Sequence, residues 1–361
     1  GLVAAFISLI GYLGFTSSQL LAGAKLASGT FVDLSLTQSL IFMGAIAVIY
    51  TVLGGLKAVI YTDTIQWIIL MLGFIFIGLP TAYFHVGGWE VIQATLPPEF
   101  FRLDNLSWQD FANWGITILP IWFIGMTLYQ RIFASRDVKS ARKAWFIAGL
   151  FEWPIMAFMG VALGLLARVA FEQGLLFVST DTMDPEMGIP ILLRTILPPG
   201  ILGLMMAAYF SAVLSTADSC LMAASGNLTT DIFGKWMKFK NEKIQMRYSQ
   251  LFTLILGILA LIISLQMTNV LELMLHSYAF MVSGLFVPII FGLFTKNRNP
   301  NAAIASMISG GTTTLFLGIF NIPLPLDLDA NFYGIITALV TYLIVSQLRK
   351  PTNQIKSKTY A

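Results

Sequence analysis

Apolar residues in this chain fall into long runs. Stretches near 2–27, 37–54, 58–84, 111–130, 143–170, 200–229, 247–267, 270–294, 301–320 and 332–348 are each predominantly apolar. Runs of roughly 20 such residues are long enough for a helix to cross a hydrocarbon core ~30 Å thick. Turn signals such as "HVGGWE", "LPPEFF", "LPPG" and "NIPLPLD" separate them. A short amphipathic piece near 186–197 is expected to lie at the surface ahead of the sixth run. No soluble linker, low-complexity tract or short-period repeat intervenes. The pattern predicts an all-α membrane protein of about ten transmembrane helices, with one transmembrane domain over 1–348 and a short tail over 349–361.

Composition agrees with this reading. Of 361 residues, 57% are apolar and 11% charged, whereas soluble domains average about 25% charged. The single cysteine, Cys220, rules out an internal disulfide. Gly1 opens the first run with no methionine, signal peptide or basic flank. The expectation is a chain whose natural N-terminus lies upstream, so that any site shared with earlier helices is incomplete.

Charge placement supplies an orientation. One set of alternate loops holds Lys57, "QRIFASRDVKSARK", "KWMKFKNEKIQMR", "KNR" and the tail, and carries 17 of the 21 Lys and Arg. The opposite set carries Arg102, Arg168 and Arg194, with Lys25 near a helix end, together with eleven of the 18 acids. Basic loops stay in the cytoplasm. Both ends of the chain are therefore expected there.

Charged groups are costly inside a membrane, about 2.5–3.5 kcal/mol at its centre on insertion scales, so intramembrane acids mark candidate sites. Four stand out: Asp63, Glu152, Asp218 and Glu272. Glu272 lies near a helix start, where the dipole stabilises it. Asp63 follows the Gly54-Gly55 turn with Thr62 beside it, and pairing with Lys57 explains it as well as function does. Around Asp218 the helix reads "MMAAYFSAVLSTADSCLMAAS", and Ala208, Ala212, Ser215 and Ser219 share a stripe. Small residues on a stripe allow close helix packing. That accounts for the alanines but not for an aspartate. The alternative is a Na+ site, since hard cations take oxygen ligands and the Ser215 and Thr216 hydroxyls supply them. Chemistry alone leaves packing and ion binding open.

Two stretches together resemble the sodium/solute symporter family. The first is Tyr50-Thr51-x-x-Gly54-Gly55-Leu56-x-Ala58, continuing into Thr62-Asp63-x-x-Gln66; the second is Ala212-x-x-Ser215-Thr216. Gln130-Arg131 and its basic loop fit the same pattern. The stretch "GLFTKNRNPNAAIASMISGG" meets the family's second signature in part, with Asn297 where a basic residue is usual and Ala302 where glycine is usual. The resemblance covers essentially the whole chain. It implies two inverted five-helix repeats, the leucine-transporter-like architecture, with this chain starting at the third core helix. It also implies Na+-coupled symport of a small organic solute by alternating access across the plasma membrane.

Carried over residue by residue, the main Na+ site would use the Ala212 carbonyl, the Ser215 and Thr216 hydroxyls, and two carbonyls from the absent first core helix. A second site would use Asp63, Ser215, Asp218 and Ser219. Asp218 stands where some relatives have serine. For the solute, Pro120, Ile121, Trp122 and Phe123 form an aromatic stretch where relatives place a gate. Glu152, in "GLFEWPIM", matches a polar contact of a sugar-carrying relative, and Pro154 frees a carbonyl beside it. His276 and Tyr278 are further cavity candidates.

Two rivals remain: a proton-coupled carrier of the same fold, with Asp63 or Asp218 titrating, and a membrane sensor input module. No metal cluster, phosphate-cradling loop or nucleophile–base pair points to an enzyme. Na+, a small solute and the bilayer are the expected partners, with no obligate protein partner evident.

Overall fold

The computed structural model describes residues 1–102, 104–176, 184–237, 239, 241–295, 299–320 and 322–348; of 54–63 and 153–154 it describes the backbone only. Every extended element among these residues is helical. The order is α1 (Leu2–Thr30), α2 (Leu36–Gly73), α3 (Leu79–His85), α4 (Trp89–Thr95), α5 (Trp108–Ile124), α6 (Met126–Phe133), α7 (Val138–Phe151) and α8 (Ala157–Glu172). It continues with α9 (Gly188–Ile196), α10 (Pro199–Gly226), α11 (Gly234–Met237), α12 (Glu242–Ser264), α13 (Val270–Phe294), α14 (Pro300–Ile319) and α15 (Ala330–Leu348). Wider π turns join α2 to α3 at Phe74–Gly78, α7 to α8 at Glu152–Met156 and α10 to α11 at Asn227–Phe233.

Nine helices among the described residues are long and apolar enough to cross a membrane. The expected span at 143–170 corresponds to the run from α7 through the π turn at Glu152–Met156 to α8; it includes 153–154, which lie outside the residues whose side chains are described, and is not counted among the nine.

The break expected at Gly54-Gly55 falls where side chains are not described. Helical hydrogen bonding is recorded from Leu36 to Gly73, a length of about 57 Å at 1.5 Å per residue if straight. Contacts on either side of it both go to α10: Thr51 meets Asp218, and Gly73 lies against Met205, thirteen residues earlier on that helix.

Two apolar cores flank the middle of α10. One gathers Met205, Met206 and Ala208 with Leu70, Phe74, Leu163, Leu192 and Leu193. The other gathers Cys220, Leu221 and Ala224 with Tyr12, Phe15, Ile121, Met281 and Leu285. The piece near 186–197 is a helix as expected, yet it does not lie on the surface. Leu192 and Leu193 of α9 are fully buried, because its apolar face completes the first core.

Local signals set the helix ends. Ser35 and Gln38 form a capping box at α2, and Ser107, Asp137, Asn241, Asn269 and Asn299 accept amide hydrogens at the starts of α5, α7, α12, α13 and α14. The partial second signature has a structural role here. Asn299 caps α14, Pro300 takes its first position, and Gly310 meets α13 and α15 without a side chain between them.

A Cβ on Gly310 would come 2.1 Å from the Ser283 carbonyl oxygen and 2.9 Å from Ala338 Cβ. Overpacking of this kind costs about 1–3 kcal/mol. We predict that Gly310→Val lowers the thermal unfolding midpoint of the detergent-solubilised protein by several degrees. Gly115→Ala, whose Cβ meets nothing within 4 Å, should leave it unchanged or higher. Equal midpoints for the two variants would contradict this packing.

Candidate functional site

α10 carries the oxygens. Ser215 Oγ donates to the Ala212 carbonyl at 3.2 Å, and Thr216 Oγ1 donates to the same carbonyl at 3.4 Å. One helical turn therefore gathers a carbonyl and two hydroxyls into a cluster the size of a cation's partial coordination shell. Such back-bonds, i to i−3 from Ser215 and i to i−4 from Thr216, satisfy hydroxyls where water is absent. A hydroxyl can rotate its proton away and offer a lone pair when a cation arrives. Ser215 and Thr216 are partly buried; from Ala217 to Leu221 the helix is wholly buried.

Asp218 points away from that turn. It is 1% exposed and lies within hydrogen-bond reach of Thr51 Oγ1, whose single proton is shared between this carboxylate and the Ala47 carbonyl at 2.7 Å. The family-like "YT" pair thus supplies the donor for the buried carboxylate. Ser219 lies on another face and accepts from the Arg131 guanidinium at 2.9 Å. Asp63, the other half of the expected second ion site, lies outside the residues whose side chains are described.

A cavity of about 710 Å³ opens beside this helix. It brings together Thr216 and Ser219 with Trp122, Phe123, Glu152 and Tyr278, so one space joins α10 oxygens to four of the five expected solute residues. Its walls are aromatic. Phe15 stacks on Tyr278 at 4.7 Å, and Trp122 meets Trp145 edge to face at 6.5 Å. Glu152 is exposed and stands at the start of the π turn. Among the described residues, Arg131 and Glu152 are the two charged side chains that line it.

His276 is the exception. It is exposed and does not line the cavity. Two residues along a helix turn the side chain by about 200°, which carries His276 away from the face of Tyr278. Outside the membrane-spanning segments, Asp329 sits nearby: burial and the Asp110 charge raise its carboxyl above the usual range, and His276 opposes them. Glu272 is exposed in the first turn of α13, its amide held by Asn269, consistent with a structural role.

Sequence reasoning missed the break between α5 and α6. Gly125 is extended (φ −65°, ψ 109°) between Ile124 and Met126, and it lines the cavity. The signal was present in Pro120, mid-span, with a glycine five residues on. Tyr12 steadies the break, its phenolic oxygen accepting from the Thr127 amide at 3.2 Å. Tyr12, Thr127 and Cys220 are further lining residues that no motif marked.

A family model for the sodium:solute symporter family matches residues 1–310. Relatives include the osmoregulated proline transporter OpuE of Bacillus subtilis (strain 168), 26% identical over 97% of this chain and 70% of that protein. The sodium/pantothenate symporter of Haemophilus influenzae is 29% identical over 93% of this chain and 68% of its own length. The sodium/sialic acid symporter NanT of Aliivibrio fischeri is 26% identical over 90% and 66%. A solved structure of a Na+-coupled sialic acid symporter, substrate-bound and outward-open, superposes with a TM-score of 0.76. It covers 98% of this chain and 75% of that one at 23% identity, which establishes the shared fold. On the extent of the family match, the chain belongs to the sodium:solute symporter family.

Proposed function

We propose that the chain performs its family's Na+-coupled symport with Na+ seated on the middle of α10 and a small organic solute in the adjoining cavity. The observation that carries this reading is the convergence of the Ala212 carbonyl, the Ser215 and Thr216 hydroxyls and an aromatic-walled cavity at one place. Na+ takes the three α10 oxygens as part of its shell. The extended Gly125 interrupts the helix beside the same cavity, where the Thr127 amide turns to Tyr12 and the Phe123 carbonyl to Tyr129, the arrangement expected of discontinuous helices in carriers. Glu152 accepts hydrogen bonds from a cationic or hydroxyl-bearing part of the solute, while Trp122, Phe123 and Tyr278 cover its apolar part. Residues 1–348 act as one transporter domain in the plasma membrane, with both ends cytoplasmic and no catalytic chemistry.

At 100 mV one entering charge supplies about 2.3 kcal/mol, and a tenfold Na+ gradient adds about 1.4 kcal/mol. Together these sustain accumulation of several hundredfold, so one Na+ per solute suffices. A second cation held by Asp63, Ser215, Asp218 and Ser219 is favoured by the burial of Asp218. Its carboxylate is already engaged by Thr51, however, so it acts first as a fixed negative charge behind the main site. A proton-coupled cycle through Asp218 predicts uptake that persists without Na+ and follows pH; symport with Na+ predicts the reverse.

Two outcomes follow, both in the natural full-length carrier. Ser215→Ala combined with Thr216→Ala should abolish Na+-driven accumulation, and Ser215→Ala alone should raise the half-saturating Na+ concentration about tenfold, equivalent to about 1.4 kcal/mol. Unchanged accumulation in the double variant refutes the site. Glu152→Gln should raise the solute KM roughly tenfold or more, because hydrogen bonds to charged groups contribute about 1.5–3 kcal/mol. An unaltered KM removes Glu152 from the solute site.

A further inference from the structure

The acid-bearing end of the bundle holds a charge cluster used by neither the α10 site nor the solute cavity. Lys25, near the end of α1, is 3% exposed. Its ammonium lies 2.5 Å from Glu186 Oε2 and 2.7 Å from Asp184 Oδ2, and it donates to the Thr268 carbonyl at 2.6 Å. Glu186 divides its carboxylate between two helices. Oε2 takes Lys25, while Oε1 accepts the amides of Val270 and Leu271 at 3.0 and 3.1 Å. Asn269 Oδ1 takes the next amide, that of Glu272, at 2.9 Å.

The first N–H groups of a helix have no carbonyl within it to meet. Here all three go to side chains, one of them from a segment 84 residues away. The carboxylate also sits at the positive end of the α13 dipole. A buried ammonium is stable only where partners surround it, so Lys25, Asp184, Glu186 and the start of α13 hold one another in a single arrangement, and of the two carboxylates Glu186 is the one that also reaches the α13 amides.

α13 is also the helix that carries Tyr278, two turns on, which stacks against Phe15 of α1 in the cavity wall. A smaller cavity of about 260 Å³ adjoins the cluster, lined by Lys25, Glu186, Tyr209, Val213, Val270 and Met274. It reaches α10 one residue from Ala212. The cluster thus bridges α1 and α13 at the end of the space that separates α13 from the ion-carrying helix.

We propose that Glu186, acting through Lys25, is a positioning residue for transport: it pins the end of α13 to α1 and so holds Tyr278 in register with the cavity, without touching Na+ or solute. This rests on the carrier reading above. Releasing the pin spreads α13 over several positions, of which a fraction presents Tyr278 correctly.

The test compares Glu186→Ala, Glu186→Gln, Lys25→Met and Lys25→Arg in the full-length carrier, normalised to folded protein. Hydrogen–deuterium exchange over residues 268–275 should quicken about tenfold in Glu186→Ala and less in Glu186→Gln, which keeps an acceptor for the amides. With proline, pantothenate and sialic acid as the uptake probes, Glu186→Ala and Lys25→Met should raise the KM about tenfold at a Vmax within about twofold, because saturating solute draws α13 into the competent position, and Lys25→Arg should keep the KM close to that of the unmodified carrier. Unchanged exchange overturns the proposal. So does a lowered Vmax at unchanged KM, or a variant that loses folded yield while each folded carrier works normally. Failure of the unmodified carrier to take up any probe with Na+ would count against the carrier reading instead, and amide exchange would still decide the role of Glu186.

Discussion

Hydrocarbon supplies no hydrogen bonds, so each polar atom inside this bundle must be answered by the chain itself. Most hydroxyls comply by bonding back along their own helix, as Thr16 does to Tyr12, Thr229 to Ser225 and Ser277 to Leu273. Asp218 cannot, and Thr51 of a second helix meets it. The same rule explains why departures from regular helix matter. At Gly125 and at Glu152–Met156 the ladder opens, and both places line the large cavity.

α10 serves two purposes with one set of residues. Its small side chains let α1 and α2 approach closely, and its oxygens gather on the turn from Ala212 to Thr216. Packing and ion binding, which chemistry alone left as alternatives, are therefore compatible. Ala208 and Ala217 are buried in contact with neighbouring helices, while Ser215 and Thr216 keep partial access. A bulkier residue on this stripe would disturb both.

Charge is placed with the same economy. Lys25 reads in sequence as a stray cation near a helix end, yet it is the centre of a buried cluster. Arg131 reads as the first residue of a basic loop, yet its guanidinium reaches Ser219 on α10. In both cases a long side chain bonds to residues far away in sequence. No local pattern announces such a partner.

What the amino-acid order determined was whatever depends on near neighbours. Apolar runs of membrane-crossing length, capping residues at Ser35, Asn269 and Asn299, the oxygen-bearing turn at Ala212–Thr216 and the alternation of basic loops follow from composition within one or two turns, and the family membership followed from motifs of the same reach. Tertiary structure decided the rest, because it sets distances between residues that sequence keeps apart. It put Trp122, Phe123, Glu152 and Tyr278 around one cavity and turned His276 out of it. It buried α9 where a surface helix was expected and opened the chain at Gly125. It also gave Lys25 two carboxylates and a helix end to hold, since a charge in a low-dielectric interior is stable only where partners converge on it from several helices.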